Sequence, residues 1–187
     1  MATATSPTQG TTTWNIDPTH SLVEFSAKHM MITTIKGRFR DVSGSIVIDE
    51  ANPARSRVDV SMSAATIDTG VAQRDQHLVS ADFLDAENHK AITFKSKRVE
   101  GARAESGDEF TVVGDLTIRG TTKEVTLKAT YEGQGKDPWG GQRISFTASG
   151  KIDRRDFGLV WNQALETGGI LVSNDIKINI EVQAVRA

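Results

Sequence analysis

An all-β fold of about eight antiparallel strands carrying one short helix is what this sequence predicts, and three observations predict it. Apolar and polar residues alternate with period two in about eight separate segments. Most of these segments are apolar on one face only, which favours antiparallel over parallel pairing. No layer of amphipathic helices is available to cover the apolar faces, so the sheet must bury them against itself, as a closed barrel or a sandwich.

The elements follow in order. The opening residues, MATATSPTQGTT, have neither the basic nor the apolar region of a secretory leader and are expected to form a flexible tail over 1–12, ahead of one domain spanning 13–187. The first strand sets Val23, Phe25, Ala27 and His29 against Glu24, Ser26 and Lys28. Between Ile35 and Ile48 the phase slips: Ile35, Gly37 and Phe39 agree with one another, whereas Val42, Gly44, Ile46 and Ile48 are displaced by one. That slip predicts a β-bulge near Arg40 and Asp41. Val58, Val60, Met62 and Ala64 define the next inward face.

Val71 to Ser80 lacks alternation and contains good helix formers, which predicts a short helix capped by Thr69 or Asp68. Alternation then resumes in Ile92, Phe94 and Ser96, in Phe110, Val112, Gly114, Leu116 and Ile118, and in Val125, Leu127, Ala129 and Tyr131. The last two strands present Ile144, Phe146, Ala148, Gly150 and Ile152, and then Ile176, Ile178, Ile180 and Val182. Asn52-Pro53, Ser106-Gly107-Asp108, Arg119-Gly120-Thr121 and Lys136-Asp137-Pro138 mark the turns between them.

The inward faces decide between barrel and sandwich through their small residues, Ala27, Gly37, Gly44, Ala64, Gly114, Ala129, Ala148 and Gly150. At eight strands a barrel interior is just wide enough to be filled by large side chains or to hold one small ligand, and small side chains favour the ligand. The alternative is that these glycines mark bends while Phe25, Phe39, Phe94, Phe110 and Phe146 fill the interior.

Composition excludes several function classes. A formal net charge of −2, from 22 Lys plus Arg against 24 Asp plus Glu, provides no global field to gather nucleic acid. The absence of cysteine removes disulfides, thiol catalysis and thiolate metal sites. No apolar run approaches the ~18 residues of a membrane-spanning helix. The chain contains no nucleophile elbow, no His-Glu-x-x-His, no Walker loop and no dinucleotide fingerprint, and His20, His29, His77 and His89 lack the spacings of a zinc site. No metal, cofactor or catalytic residue is therefore expected.

The candidate ligand-binding residues come from the inward faces and the barrel ends. Phe25, Ala27, Phe39, Ile46, Met62, Phe94, Leu116, Ala129, Phe146 and Ala148 occupy inward strand positions. His29, at the end of an apolar face, offers a polar handle, and Leu78 places an apolar side chain on the helix. Arg74 on the same helix suits a phosphate or carbonyl head group, with an Arg74–Asp75 ion pair as the competing reading. Arg154, Arg155 and Asp156 raise the same choice, and a basic turn is usually a solvated one. Trp161 and Leu165, with Ile170, Leu171 and Val172, are too apolar for a plain surface loop and are expected to close one end of the barrel or pack on its outer wall.

From Trp14 to the C-terminus the chain also resembles the YceI-like, polyisoprenoid-binding family. The motifs that carry the resemblance run in order: Ile16-Asp17-Pro18-Thr19-His20-Ser21, Lys36-Gly37-Arg38-Phe39, Arg74-Asp75-Gln76-His77-Leu78 and Asp82-Phe83-Leu84-Asp85. Further on come Ile92-Thr93-Phe94-Lys95-Ser96, the run from Gly114 to Lys123, and Asp153-Arg154-Arg155-Asp156-Phe157-Gly158. Asn88-His89-Lys90-Ala91 departs from the proline-containing turn common in that family. The resemblance implies a lipocalin-like barrel whose elongated cavity takes an isoprenoid or similar amphiphile, often in a homodimer. Many relatives are exported; with no leader in the sequence as read, a cytoplasmic location is expected here. Two other readings are an enzyme acting on a bound lipid with His29 or His77 as general base, and a ligand-free interaction module.

Overall fold

The computed structural model describes residues 10–103 and 105–187. Eleven strands and one helix are formed by these residues: β1 (Thr11–Ile16), β2 (Leu22–His29), β3 (Thr33–Phe39), β4 (Val42–Asp49), β5 (Arg57–Ser63), β6 (Ile67–Asp68), α1 (Ala72–Val79), β7 (Ala91–Glu100), β8 (Glu109–Ile118), β9 (Thr121–Lys136), β10 (Gln142–Asp153) and β11 (Asp175–Arg186). Neighbouring strands are antiparallel throughout, in the order β1-β4-β5-β7-β8-β9-β10-β11, and β11 pairs back onto β1 to close an eight-stranded barrel. Closure removes the free edges of the sheet and buries its alternating apolar face.

One edge of β11 is shared. Near its C-terminus it pairs with β1, from Trp14 opposite Arg186 to Ile16 opposite Ala184, and nearer its start it pairs with β2, from Leu22 opposite Glu181 to Ser26 opposite Lys177. β2 then carries β3, and β3 carries the short β6. The half of the barrel that contains β1 and β4 is called the upper half below, and the half that contains β2, β3 and β6 the lower half.

Three features differ from the sequence expectations. The chain enters the barrel at Thr11, so Thr11 and Thr12 belong to β1; residues 1–9 of the expected tail lie outside the described residues. The phase slip at Arg40 and Asp41 is a break between two strands rather than a bulge within one, with Asp41 at a φ of 49°. The segment divides there because β3 pairs with β2 and β6 while β4 pairs with β1 and β5. The helix has Val71 at its N-cap, and neither Thr69 nor Asp68 caps it. Asp75 instead reaches back to accept from the Thr69 amide at 2.9 Å and the Thr69 hydroxyl at 2.5 Å.

The β1–β2 turn is tied into the barrel by charge. Asp17 accepts from the Arg143 guanidinium at 2.7 Å and from the Thr19 hydroxyl at 2.6 Å, and lies 2.8 Å from His20 Nδ1. Arg143 also donates to Asp137 at 2.9 Å and to Gln183 at 2.8 Å, so one side chain joins the turn to β11 and to the β9–β10 hairpin. The Thr19 and Arg143 donors hold the Asp17 carboxyl far below the usual carboxylate range.

Candidate functional site

The barrel interior holds two apolar chambers. The upper one encloses about 520 Å³, within the range of small-molecule pockets. Trp14, Ile46, Val58, Val99, Phe110, Val112, Ala129, Tyr131, Ile144, Phe146 and Ala148 build its walls. Its aromatics interlock: the Phe110 and Phe146 rings meet edge to face at 6.1 Å, and Tyr131 lies 5.4 Å from Phe146. Polar side chains appear at the mouth, where Asp49, Glu50, Arg57, Arg103 and Gln134 reach the opening between the loops that leave β4 and β7. Burial pushes the Tyr131 phenol up.

The lower chamber is smaller, about 210 Å³, and apart from Glu24 and Arg154 every residue lining it is apolar. Phe25, Ala27, Phe39, Met62, Leu78 and Leu116 face it, and Phe25 and Phe39 contact each other with ring centroids 5.8 Å apart. Val60, Phe94, Leu127, Ile180 and Val182 belong to the walls of both chambers and form the waist between them.

Three segments close the lower end: α1 through Leu78, the following turn through Phe83 and Leu84, and the connection from Gly158 to Asn174 through Leu159 and Val172. Arg154 holds that connection in place. It is 4% exposed, and its guanidinium donates to the carbonyls of Leu159 at 2.7 Å, Trp161 at 2.9 Å and Ser173 at 2.9 Å. Longer contacts of 3.4 Å run to the Val172 carbonyl and the Asn174 side chain. A guanidinium suits the task because its five donors fan out in one plane and can satisfy several main-chain acceptors at once. Burial pulls the Arg154 pKa down from its ordinary value, an effect that nearby Asp153 opposes. The sequence reading of this turn as solvated is therefore corrected for Arg154; it holds for exposed Arg155, which pairs with Asp153 at 2.6 Å.

Of the residues selected from sequence, Ile46, Ala129, Phe146 and Ala148 line the upper chamber, Phe25, Ala27, Phe39, Met62, Leu78 and Leu116 line the lower one, and Phe94 lines both. Three are placed elsewhere. His29 ends β2 in a bridge to Val172, outside the lining of either chamber. Arg74 is spent on the turn before its own helix, donating to the Thr69 hydroxyl at 2.7 Å and the Thr69 carbonyl at 2.9 Å, so neither the head-group role nor the pair with Asp75 describes it. Trp161, within the closing connection, packs against His77 at 4.7 Å and Phe83 at 5.3 Å and stays outside the lining of either chamber. His77 in turn lies 2.8 Å from Asp82. Among the described residues no three His, Cys, Asp or Glu side chains are grouped to hold a metal ion.

The small inward residues divide into two kinds. A Cβ on Gly114 would sit 2.5 Å from the Lys95 carbonyl and 2.6 Å from the Phe94 ring, and one on Gly150 would sit 2.7 Å from Leu127. The Phe25 ring likewise occupies the space over Gly37. These glycines make room for neighbouring side chains, whereas Ala129 and Ala148 border open volume. Trp14, Val99, Ala102, Tyr131 and Arg154 were not selected from sequence. Alternation already marked Tyr131 as inward, but Trp14 sits in a threonine-rich strand without an apolar pattern, and nothing local signals the main-chain partners of Arg154.

Comparison with known proteins agrees with this geometry. A sequence model of the YceI-like domain matches residues 14–184. The chain is 40% identical over 168 residues to a UPF0312 protein of Serratia proteamaculans, spanning 90% of this chain and 82% of that one. The crystal structure of the Campylobacter jejuni YceI protein, 35% identical, superposes with a TM-score of 0.72 over 86% of this chain and 90% of that one. A polyisoprenoid binding domain from Saccharophagus degradans shares the fold at 13% identity, with a TM-score of 0.66 over 93% of this chain and 98% of that one. Barrel, cavity and sequence motifs thus converge, and the chain belongs to the YceI-like domain family.

Proposed function

We propose that this protein binds an isoprenoid or a similar long-chain amphiphile inside the barrel, for storage or transport. The observation that carries the reading is the gradient along the cavity: an almost wholly apolar lower chamber, an apolar waist, and polar side chains at the upper mouth. An amphiphile matches that gradient in one orientation, tail down and head at the mouth. Each buried CH₂ contributes roughly 0.8 kcal/mol, so several isoprene units outweigh the ~1 to 3 kcal/mol of a few head-group hydrogen bonds. The tail sets affinity. The mouth offers donors from Tyr131, Gln134, Arg57 and Arg103 beside the acceptors Asp49 and Glu50, a mixture that suits loose discrimination among oxygen-rich head groups. Support also comes from the family, and from the polyisoprenoid-binding name of one structural neighbour.

Native mass spectrometry of protein purified from its own host, followed by solvent extraction and lipid analysis, tests the reading. A bound mass that extracts as a prenyl lipid supports it; a bare polypeptide mass that also fails to take up added prenyl lipids overturns it. We propose in addition a homodimer working in the cytoplasm, which sedimentation velocity and cell fractionation test.

A further inference from the structure

Among the described residues six large apolar side chains are exposed, and five of them gather at the lower end: Met30, Met31, Ile32, Val71 and Val160. The sixth, Trp139, sits alone on the β9–β10 hairpin at the other end. Met30, Met31 and Ile32 form the whole β2–β3 turn, with Met31 61% and Ile32 76% exposed. Met30 and Met31 both hold left-handed backbone, at φ values of 53° and 63°, where glycine or asparagine is the ordinary choice. The turn accepts backbone strain and solvent-exposed apolar surface at the same positions, and a site that breaks two local rules without an internal packing gain points to an external partner.

The turn is not a loose tip. The Met30 amide donates to the Leu171 carbonyl at 2.8 Å and the Lys28 amide to the Ser173 hydroxyl at 2.9 Å, so it is braced against the connection that bears Val160. Charges of both signs lie near it, with Glu166 in the bracing connection and Asp175 at the start of β11, where it pairs with Lys151. From Phe25 to Arg40 the chain carries Lys28, Lys36, Arg38 and Arg40 and no acidic residue. Glu24 pairs with Lys36, and Asp68 with Arg38 and Arg40. The Lys28 ammonium donates to the Thr34 hydroxyl at 2.8 Å, and exposed Lys177 follows on β11, where it faces Ser26; neither has a carboxylate partner among the described residues. The loop that leaves β7 at the opposite end carries Glu105 and Asp108 against Arg103, between Glu100 at the end of β7 and Glu109 at the start of β8.

We propose that the lower end docks on an anionic bilayer surface, with Met30, Met31 and Ile32 entering the interface and Lys28 and Lys177 facing the lipid phosphates. Exposed apolar side chains flanked by two lysines without carboxylate partners match a surface that is negative at the head groups and apolar beneath them. Docking in this sense leaves the upper mouth directed away from the bilayer. It goes beyond the lipid-binding reading and does not require any particular cavity occupant.

The test is co-sedimentation of the full chain with mixed phosphatidylcholine and phosphatidylglycerol vesicles, and with phosphatidylcholine vesicles alone. The expected results are binding to the mixed vesicles that weakens with salt, and a loss of about tenfold or more in the Met31→Asp, Ile32→Asp double variant. Lys28→Glu weakens binding about fivefold, and Trp139→Ser leaves it unchanged. Circular dichroism checks that the variants, all at exposed positions, remain folded. The proposal is overturned if the wild-type chain stays in the supernatant, or if Trp139→Ser costs as much as the double variant. It is equally overturned if the double variant binds vesicles as before and instead converts a dimer to a monomer, which makes a second copy the occupant.

Discussion

The two chambers are built from the same long strands yet solve opposite problems. In the lower one, aromatics fill the width left by glycines and a buried arginine seals the end. In the upper one, Ala129 and Ala148 border the volume beside Trp14, Phe110, Tyr131 and Phe146, and polar side chains from the loops join the lining. A small inward residue therefore has no fixed meaning. At Gly114 and Gly150 it admits a neighbour, and at Ala129 and Ala148 it preserves volume. The difference lies in what crosses from the adjacent strand, Phe94 and Leu127 in the first case and open space in the second.

The contrast can be broken most severely at the sealed end. Arg154→Leu leaves several buried carbonyls without donors and is expected to cost about 3 kcal/mol or more, read as a lower urea midpoint. A midpoint equal to wild type removes Arg154 from the role assigned to it. Gly114→Ala places a methyl against the Lys95 carbonyl and the Phe94 ring, and is expected to destabilise by about 1 to 3 kcal/mol in the same measurement. Ala129→Phe sharpens the comparison from the other side. It should leave the midpoint nearly unchanged while weakening uptake of a fluorescent prenyl probe about tenfold, or ~1.4 kcal/mol. Unchanged uptake would remove Ala129 from the path of the chain.

The smallest effect concerns the seam at the β1–β2 turn. The folded state lowers the Asp17 pKa, so the stability that this carboxylate adds is complete above its unfolded value near 3.8 and disappears as pH falls toward the folded one. Asp17→Asn should cost less than about 1 kcal/mol at neutral pH, since the partly exposed network is screened by solvent. That deficit should shrink in urea melts taken at progressively lower pH. A deficit that is constant across the titration would mean the seam is held by hydrogen-bond geometry without a charge contribution.

Much of this was legible in the sequence because one-sided burial writes itself as alternation. The inward faces from Val58 to Met62, Phe110 to Ile118 and Ile176 to Val182 place their apolar residues on the chambers, and the resemblance to the YceI-like family named the same closed barrel. β1 was missed because Thr11, Thr12 and Thr13 show no apolar contrast; β4 and β11, on either side, supply the order. Arg74 and Arg154 looked alike as basic residues beside acidic ones. Their fates diverge through partners that no local charge pattern announces, the Thr69 hydroxyl and carbonyl for one and a run of distant carbonyls for the other. Which glycines bound empty space was equally invisible, since that depends on rings reaching over from a neighbouring strand.

Arg154 grips oxygen atoms that every amino acid possesses. Side chains along the segment it fastens can accordingly change during evolution without loosening the fastening, provided the main-chain path is kept. Homologues are thereby free to vary the chemical character of that pole of the molecule while the barrel beneath it stays shut.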